Sequence, residues 1–286
     1  EPGKWVTDRA PYQREIMDAI SDPLVDTVVV MTSAQIGKTE LLLNIIGYYV
    51  HYDPSPILLL QPTLEMAEAF SKDRLAPMIR DTSVLSERIG DAKARNSGNT
   101  LLHKTFPGGH ITMAGANSPS SLASRPIRAV LADEVDRYPV SAGTEGDPLM
   151  LATKRTTTFW NKKKVYVSTP TIKGASRIEM EYEDSTMEEW HVYCPSCKEL
   201  QPYEWGRINF DSITMTCKHC GTLHQEYEWK ARKGKWIARF PERKKRGFHL
   251  NEMASPWKRW SEIIEDFKTA KKSTETLKVW VNTALG

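Results

Sequence analysis

A lysine and a threonine end a short polar stretch that directly follows an apolar run. Residues 28–31 form the run, and residues 32–39 read Thr-Ser-Ala-Gln-Ile-Gly-Lys-Thr. The last three residues, Gly37, Lys38 and Thr39, match the end of a phosphate-binding loop, although Thr32 stands where that pattern has its first glycine. In such a loop Lys38 would contact the β- and γ-phosphates and Thr39 would place its hydroxyl on Mg²⁺. The alternative is a helix N-terminus with an incidental lysine.

Two acidic residues follow another apolar run, residues 129–132. Asp133 would then lie at the carboxyl end of a buried strand, where ligands of a parallel sheet gather, and it could hold Mg²⁺. Glu134 could orient or deprotonate an attacking water. An acidic turn is the alternative for this pair alone. Together with the lysine loop, however, the pair favours hydrolysis of a nucleoside triphosphate.

One arginine and two hydroxyl residues are further candidates for the same chemistry. Arg125 precedes the acidic strand and could stabilise a transferred phosphoryl group, in cis or across a subunit boundary. A plain surface arginine is an equal alternative. Ser168 and Thr169 follow another apolar run, residues 165–167, and could sense the γ-phosphate. They could equally form an ordinary polar turn.

All four cysteines of the chain fall into two Cys-x-x-Cys pairs, Cys194 with Cys197 and Cys217 with Cys220. This spacing is typical of a structural zinc site, in which each pair supplies two thiolates to one tetrahedral ion. Redox-active pairs are the alternative. We therefore expect a small zinc ribbon near residues 190–228, with DNA contact, partner contact or stability as its open roles.

The elements that must position these residues alternate along the first 170 residues. Apolar runs predict buried strands, and apolar positions at helical spacing predict helices. The strands are predicted at 28–31, 57–60, 129–132 and 165–167, the helices at 40–52, 64–80 and 147–160, a hairpin at 101–113, and a loop or mixed region at 86–100. This alternation predicts an α/β fold with a mostly parallel sheet.

The texture of the sequence changes after residue 173, where aromatic, cysteine and charged residues replace the apolar runs. We predict a nucleotide-binding core at 1–172, a linker helix and zinc ribbon at 173–228, and a basic C-terminal subdomain at 229–286. Residues 230–272 contain fourteen Lys or Arg against five acids, although the whole chain carries only +3. This tract would suit a polyanion, and a solvated surface with ordinary salt bridges is the alternative.

The 286 residues are 40% hydrophobic and 26% charged, as in ordinary globular proteins, which argues against a disordered chain. No run of eighteen apolar residues exists, so the sequence predicts no membrane-spanning helix. The N-terminus has neither an initiator methionine nor an apolar signal region, and we expect a fragment of a longer chain.

The ordered set of motifs resembles the ATPase part of the lambda-like large terminase subunits of tailed bacteriophages. The resemblance rests on Pro11-Tyr12-Gln13, on the loop at 33–39, on Ser124-Arg125-Pro126 before the acidic pair, on Ser168-Thr169-Pro170 and on the four cysteines. It implies a P-loop ATPase of the additional-strand, catalytic-glutamate class with an inserted four-cysteine zinc ribbon.

The resemblance also implies roles and partners. Gln13 would read the adenine and Tyr12 would stack on it. The ATP, Mg²⁺ and Zn²⁺ ligands would come from Ser33, Gln35, Gly37, Lys38, Thr39, Asp133, Ser168, Thr169 and the four cysteines. Such motors move double-stranded viral DNA into a procapsid through the portal, with a small terminase subunit as partner, as a ring in the cytoplasm of the infected host.

Two departures from the family pattern qualify these expectations. Many terminases carry an arginine within the phosphate loop, whereas residues 33–35 here are Ser-Ala-Gln, so the arginine must come from elsewhere. A full large subunit also has a C-terminal nuclease domain, which we expect to begin where this chain ends, so we predict no DNA cleavage. A helicase-like translocase or remodeller, and a zinc-ribbon DNA-binding or adaptor module with an inactive nucleotide fold, are the competing interpretations.

Overall fold

The computed structural model describes residues 6–90, 98–118, 125–231 and 233–286. Its helices are α1 (Gln13–Ser21), α2 (Lys38–His51), α3 (Leu64–Phe70), α4 (Ala76–Asp81), α5 (Ser83–Ser86), α6 (Pro148–Lys154), α7 (Arg177–Glu183), α8 (Glu226–Lys230), α9 (Trp260–Ala270) and α10 (Thr274–Trp280). Its strands are β1 (Thr27–Thr32), β2 (Pro56–Gln61), β3 (His103–Phe106), β4 (Gly109–Gly115), β5 (Ala129–Asp133), β6 (Lys163–Ser168), β7 (Glu188–Tyr193), β8 (Leu200–Pro202), β9 (Ile208–Asn209), β10 (Thr214–Thr216), β11 (Leu223–Gln225), β12 (Gly234–Ala238) and β13 (Arg246–Leu250). Among these residues, none of the helices combines the length and apolar character that a membrane crossing requires.

The chain divides into two compact units. The first unit comprises Glu1–Ala19, Val29–Gly37 and Thr169–Gly286, and the second comprises Ile20–Val28 and Lys38–Ser168. The N-terminal segment and the start of the phosphate loop therefore group with the chain after β6. The boundaries predicted from the sequence, after residues 172 and 228, differ from this division and stay a prediction.

The second unit contains a mostly parallel sheet in the order β6-β5-β2-β4-β3. Strand β2 pairs in parallel with both β4 and β5, and β5 pairs in parallel with β6, whereas β3 runs antiparallel to β4. Every residue of β5 and five of the six residues of β2 are buried, as expected for parallel strands covered on both faces. The α/β fold class is confirmed.

Most predicted elements of the second unit are present. Helix α2 buries the residues whose spacing predicted it, which include Leu41, Leu42, Ile45, Ile46 and Tyr49. The predicted helix at 64–80 is α3 and α4, joined by a π-helical turn at Ser71–Leu75. Strands β3 and β4 form the predicted hairpin. Residues 91–97, within the region expected to be a loop or mixed, lie outside the described residues.

The predicted helix at 147–160 is wrong in its second half, because α6 ends at Lys154. Its start is well defined, since the Asp147 side chain accepts a hydrogen bond from the backbone N–H of Met150 at 2.9 Å. Beyond the helix, threonine hydroxyls bond back to the main chain: Thr156 donates to the carbonyl of Thr153. Such local side-chain bonds compete with helical hydrogen bonds and favour the turns seen here.

The strands of the first unit follow the order β12-β7-β13-β1, of which β1 contributes residues 29–32, and β8 is added at β7. Strands β13 and β7 are parallel, whereas β12 and β8 run antiparallel to β7. A separate three-stranded antiparallel sheet is formed by β11, β10 and β9. Four aromatic side chains pack at tilted or edge-on angles into one cluster, with contacting ring centroids 4.9–5.6 Å apart: Trp205, Phe210, Phe267 and Trp280.

One arginine joins the starts of two strands in the second unit. The Arg128 guanidinium donates to both carboxylate oxygens of Asp53 at 2.7 and 2.6 Å and to the hydroxyl of Ser55 at 2.7 Å. Arg128 directly precedes β5, and Asp53 and Ser55 precede β2. The Arg128 side chain is 14% exposed, so these charge-assisted bonds are partly desolvated.

We expect Arg128→Ala to lower the free energy of unfolding by about 2 kcal/mol, because it leaves a partly buried carboxylate and hydroxyl without their donor. Urea denaturation followed by circular dichroism measures the change. Arg80→Ala is the matched control, since Arg80 pairs with Asp81 at 2.7 Å but is 72% exposed, and it should have a clearly smaller effect. Equal effects of the two substitutions would contradict the structural role of Arg128.

Candidate functional site

The loop after β1 has an unusual backbone. Strand β1 ends at Thr32 and α2 begins at Lys38. Between them Gln35 and Gly37 have positive φ values of 57° and 87°. Residues of this kind turn backbone N–H groups into an anion-binding concavity. A Cβ atom added to Gly37 would lie 2.6 Å from Nε2 of Gln13, so both the φ value and the space require glycine.

The C-terminal part of the chain holds the start of the loop. The N–H of Ser33 donates to the carbonyl of Leu250 at 3.0 Å, and the N–H of Ala34 donates to the carbonyl of Thr283 at 2.7 Å. All four residues belong to the first unit. The shape of the loop therefore depends on residues more than 200 positions away in sequence.

Tyr12 supports this loop from inside the first unit. Its hydroxyl donates to the carbonyl of Ile36 at 3.0 Å, and its own carbonyl accepts from the indole N–H of Trp236 at 2.9 Å. The edge of Trp190 packs on its ring, and Tyr12 is only 2% exposed. Burial also raises the pKa of its hydroxyl. Tyr12 thus has no open ring face, and the expectation that it stacks on a base is not met by this geometry.

Gln13 lies beside the same loop. Its side-chain amide donates to the carbonyl of Ile36 at 3.3 Å and to that of Gly37 at 3.1 Å. Its Oε1 atom is buried and has no hydrogen-bond partner within the described chain. A buried acceptor without a donor is costly, which makes this oxygen a candidate ligand contact.

A lysine and a carboxylate meet in the second unit. The Lys38 ammonium lies 3.5 Å from Oε1 of Glu134, and the Arg137 guanidinium lies 3.8 Å from Oε2 of the same carboxylate. Burial lowers the pKa of Lys38, and the charge of Glu134 opposes that shift. Glu134 has left-handed backbone angles, φ 52° and ψ 49°, a strain that often marks functional positions.

Asp133 is the other acid at the end of β5. Burial raises its pKa to about 6, and a hydrogen bond from Gln61 opposes the shift, with Gln61 Nε2 at 3.0 Å from Asp133 Oδ2. Gln61 ends β2, and the parallel register of β2 with β5 brings the two strand ends together. Ser168 ends β6 at the same edge, and its hydroxyl accepts from the N–H of Asp136 at 3.3 Å.

The structure does not bring Arg125 to this edge. Arg125 precedes the start of β5, whereas Asp133 is its last residue and Glu134 follows it, and five residues of strand span roughly 15 Å. Its guanidinium lies 3.4 Å from Nε2 of His103 in β3. The arginine that does approach Glu134 in the same chain is Arg137.

Two residues of this edge, Gln61 and Arg137, are not among those predicted from the sequence. A signal for Gln61 was available, since it is the polar residue that ends the second apolar run, just as Asp133 ends the third. Arg137 had no comparable signal. Thr39 lies in the first turn of α2, beside Lys38, as the loop pattern predicts.

The four cysteines form a cluster in the first unit. Their sulfur atoms all lie within 4.8 Å of one another, with 3.8 Å between Cys194 and Cys220 and 3.7 Å between Cys197 and Cys217. A tetrahedral ion with metal–sulfur bonds of about 2.3 Å requires sulfur–sulfur separations of about 3.8 Å. The cluster therefore has the dimensions of a four-thiolate metal site.

The two turns that carry the cysteine pairs have the same backbone conformation. In the first, the N–H of Lys198 donates to the carbonyl of Cys194 at 3.1 Å, and in the second the N–H of Gly221 donates to that of Cys217 at 3.0 Å. Lys198 and Gly221 both have positive φ, 66° and 73°. His219 and His224 are near these turns but outside the four-cysteine cluster.

Many charges of the basic tract are paired within the first unit. Lys245 contacts Glu181 and Asp184 at 2.7 and 2.8 Å, and Lys258 contacts Asp266 at 2.6 Å. Further pairs join Arg246 to Glu188, Lys230 to Glu226 and Lys268 to Glu265. The tract is therefore less available to a polyanion than its count of lysines and arginines suggests.

The parallel sheet ends at one edge in Gln61, Asp133 and Ser168, and a lysine begins the helix after β1. Together these features define a P-loop type nucleoside-triphosphatase fold. The chain belongs to the family of phage terminase large subunits of the gpA type, because the model of the gpA ATPase domain matches residues 1–236. The model of the gpA endonuclease domain matches residues 245–286, which places the start of that match earlier than the sequence analysis expects.

Two curated relatives are similar over the whole chain. The terminase large subunit of Enterobacteria phage P21 is 29% identical, and that of Escherichia phage lambda is 27% identical. The chain spans 49% of the length of each, about half. The resemblance to lambda-like terminases is thus confirmed.

Two solved structures share the fold. The large terminase ATPase domain of Thermus phage P74-26 has a TM-score of 0.54 at 16% identity, with 99% of this chain and 97% of that chain covered. The large terminase of bacteriophage HK97 has a TM-score of 0.51 at 16% identity, with 64% and 37% covered. At these identities the likeness concerns the fold alone.

We expect Gly37→Ala to lower the free energy of unfolding by about 1–2 kcal/mol, because a Cβ is strained at this φ and also displaces Gln13. Gly47→Ala in α2 is the matched control: its Cβ would meet nothing within 4 Å, and alanine favours a helix. Urea denaturation of both variants measures the difference. A Gly37→Ala protein as stable as the wild type would contradict the strained loop.

Proposed function

We propose that the chain binds ATP with Mg²⁺ and hydrolyses it, and that this hydrolysis drives double-stranded viral DNA into a procapsid. The observation that carries the proposal is the contact of 3.5 Å between Lys38 and Glu134 beside the buried Asp133. A cation, a candidate base and a candidate Mg²⁺ ligand thereby stand together at the carboxyl edge of one parallel sheet.

Each residue has a distinct role in this proposal. The triphosphate binds Lys38, whose ammonium then leaves Glu134 for the phosphate oxygens. Asp133 and Thr39 hold Mg²⁺, an ion that prefers carboxylate and hydroxyl oxygens, and a cation beside Asp133 offsets the effect of burial on this carboxylate. Glu134 orients the attacking water and takes its proton. The loop at Ser33 to Gly37 binds phosphate through its backbone.

Ser168 is a candidate for coupling hydrolysis to movement. Its hydroxyl accepts the N–H of Asp136 at 3.3 Å, in the turn that begins with Glu134. A shift of this turn when the phosphate leaves would therefore pull on the end of β6. Thr169 follows directly in the chain and would carry the shift onward.

The charge-stabilising arginine has two candidates in this proposal. Arg137 lies 3.8 Å from Glu134 and can act within one chain. Arg125 lies beyond the opposite end of β5, so a contribution from Arg125 must come from a neighbouring subunit. A ring of subunits on the portal would supply such a neighbour.

The proposed partners follow from family membership. They are double-stranded DNA, the portal of the procapsid, the small terminase subunit and further copies of this chain in a ring, with the host cytoplasm as the place of action. The prediction that these 286 residues do not cleave DNA is also retained.

We propose Zn²⁺ as the ion of the cysteine cluster. The four sulfurs lie within 4.8 Å of one another, with the spacing that a tetrahedral ion requires. A site with four thiolates has no open position for a substrate, so the ion is structural. It joins the turn after β7 to the turn after β10.

We expect Glu134→Gln to bind ATP within a few-fold of the wild-type affinity and to hydrolyse it about 10²–10⁴-fold more slowly, because the amide cannot accept the proton of water. Calorimetry and phosphate release under DNA-stimulated conditions measure the two quantities. Glu145→Gln, at an exposed position of the second unit, is the control and should hydrolyse ATP normally. Normal turnover by Glu134→Gln would refute the proposed role.

We expect the wild-type chain to carry about one zinc ion, and Cys217→Ser to lose it, because one thiolate of a closed tetrahedron is replaced by a poor ligand. Mass spectrometry of the bound metal on freshly purified protein measures the content. His219→Ala should keep the ion, since this histidine is outside the cluster. Equal loss from both variants would contradict a four-cysteine site.

A further inference from the structure

An exposed tryptophan flanks the phosphate loop in the first unit. A Cβ atom added to Gly37 would lie 3.2 Å from Cη2 and 3.4 Å from Cζ3 of Trp257, so the edge of the indole rests against this glycine. Trp257 is nevertheless 52% exposed. Trp260, three residues later, is fully buried and donates its indole N–H to the carbonyl of Met253, as a core tryptophan does.

Hydrogen bonds hold Trp257 at this position. The buried hydroxyl of Ser255 donates to the carbonyl of Gln35 in the loop at 3.0 Å and accepts the N–H of Trp257 at 3.2 Å. The Lys230 ammonium donates to the carbonyl of Ser255 at 2.6 Å and to that of Lys258 at 3.1 Å, which fixes the turn from its other side. The backbone that carries the exposed ring is therefore held by hydrogen bonds within the chain itself.

The unpaired acceptor of Gln13 lies beside the same glycine. The Nε2 atom of Gln13 is 2.6 Å from the position of the added Cβ of Gly37, and it is committed to the carbonyls of Ile36 and Gly37. Reversing the amide would set its oxygen against two carbonyl oxygens, so the buried Oε1 must be the atom that lacks a donor. An exposed indole whose edge rests at Gly37 and a buried acceptor beside the same residue are groups that a flat heterocycle with an amino group can use.

We propose that the indole of Trp257 is the platform on which the base of the bound nucleoside triphosphate stacks, beside the Gln13 oxygen to which the family resemblance assigns the reading of adenine. This inference rests on the proposed function, since it names the base contacts of the same nucleotide. It gives the stacking role to Trp257 in place of the buried Tyr12. Guanine carries a carbonyl where adenine carries its amine, so this acceptor discriminates against GTP.

The test separates the base from the phosphates. Calorimetry in Mg²⁺ compares the binding of ATP, GTP and inorganic tripolyphosphate to the wild type, Trp257→Ala and Trp257→Phe. We expect Trp257→Ala to weaken ATP binding about tenfold or more and to leave tripolyphosphate binding unchanged, because only the base stacks. Trp257→Phe should retain most of the affinity for ATP. The control is Trp160→Ala, which removes a tryptophan that is 84% exposed in the second unit.

The outcomes are distinguishable. Unchanged tripolyphosphate binding also demonstrates that the loop of Trp257→Ala is folded. If Trp257→Ala binds ATP with wild-type affinity, the platform is refuted and the proposed function is unaffected. The same holds if the variant loses affinity for ATP and for tripolyphosphate equally. Failure of the wild type to bind either ligand would refute the proposed function and the platform together.

Discussion

A carboxylate buried at the end of β5 is the constraint to which the rest of the candidate site conforms. Asp133 is 8% exposed, and an isolated charge at that depth is unfavourable. Gln61 donates to it from the neighbouring strand, and the positive charge of Lys38 further favours its ionised form. The neighbouring Glu134 has the opposite effect on its pKa. A buried carboxylate of this kind needs hydrogen-bond donors and positive charge around it, which explains why several elements converge on one edge.

The parts of the site that depend on local sequence could be predicted. A strand buried on both faces is a short apolar run, so the sequence predicts the positions of β1, β2, β5 and β6. The acids at the end of β5 could be located in the same way. The cysteine turns are also local, because each closes within five residues. The helix at 147–160 was overextended, since the threonines after Lys154 bond to preceding carbonyls instead of continuing the helix.

The parts that depend on distant contacts could not be predicted. Tyr12 and Gln13 are adjacent in sequence, but a contact between Tyr12 and Trp236, 224 positions away, is among those that bury the tyrosine. Pairing likewise lowers the availability of the basic tract, through acids such as Glu181 that lie outside it. For Arg125 the information was present: a residue before a strand lies at the opposite edge from a residue after it.

The hydrogen bonds from Ser33 to Leu250 and from Ala34 to Thr283 have a consequence for how the family is divided into domains. The match to the ATPase domain ends at residue 236, and the match to the endonuclease domain begins at 245. Both carbonyl partners of the phosphate loop come from the later segment. The segment that matches the endonuclease model therefore takes part in shaping the nucleotide loop, so a strain in residues 250–283 would reach the loop through these two hydrogen bonds.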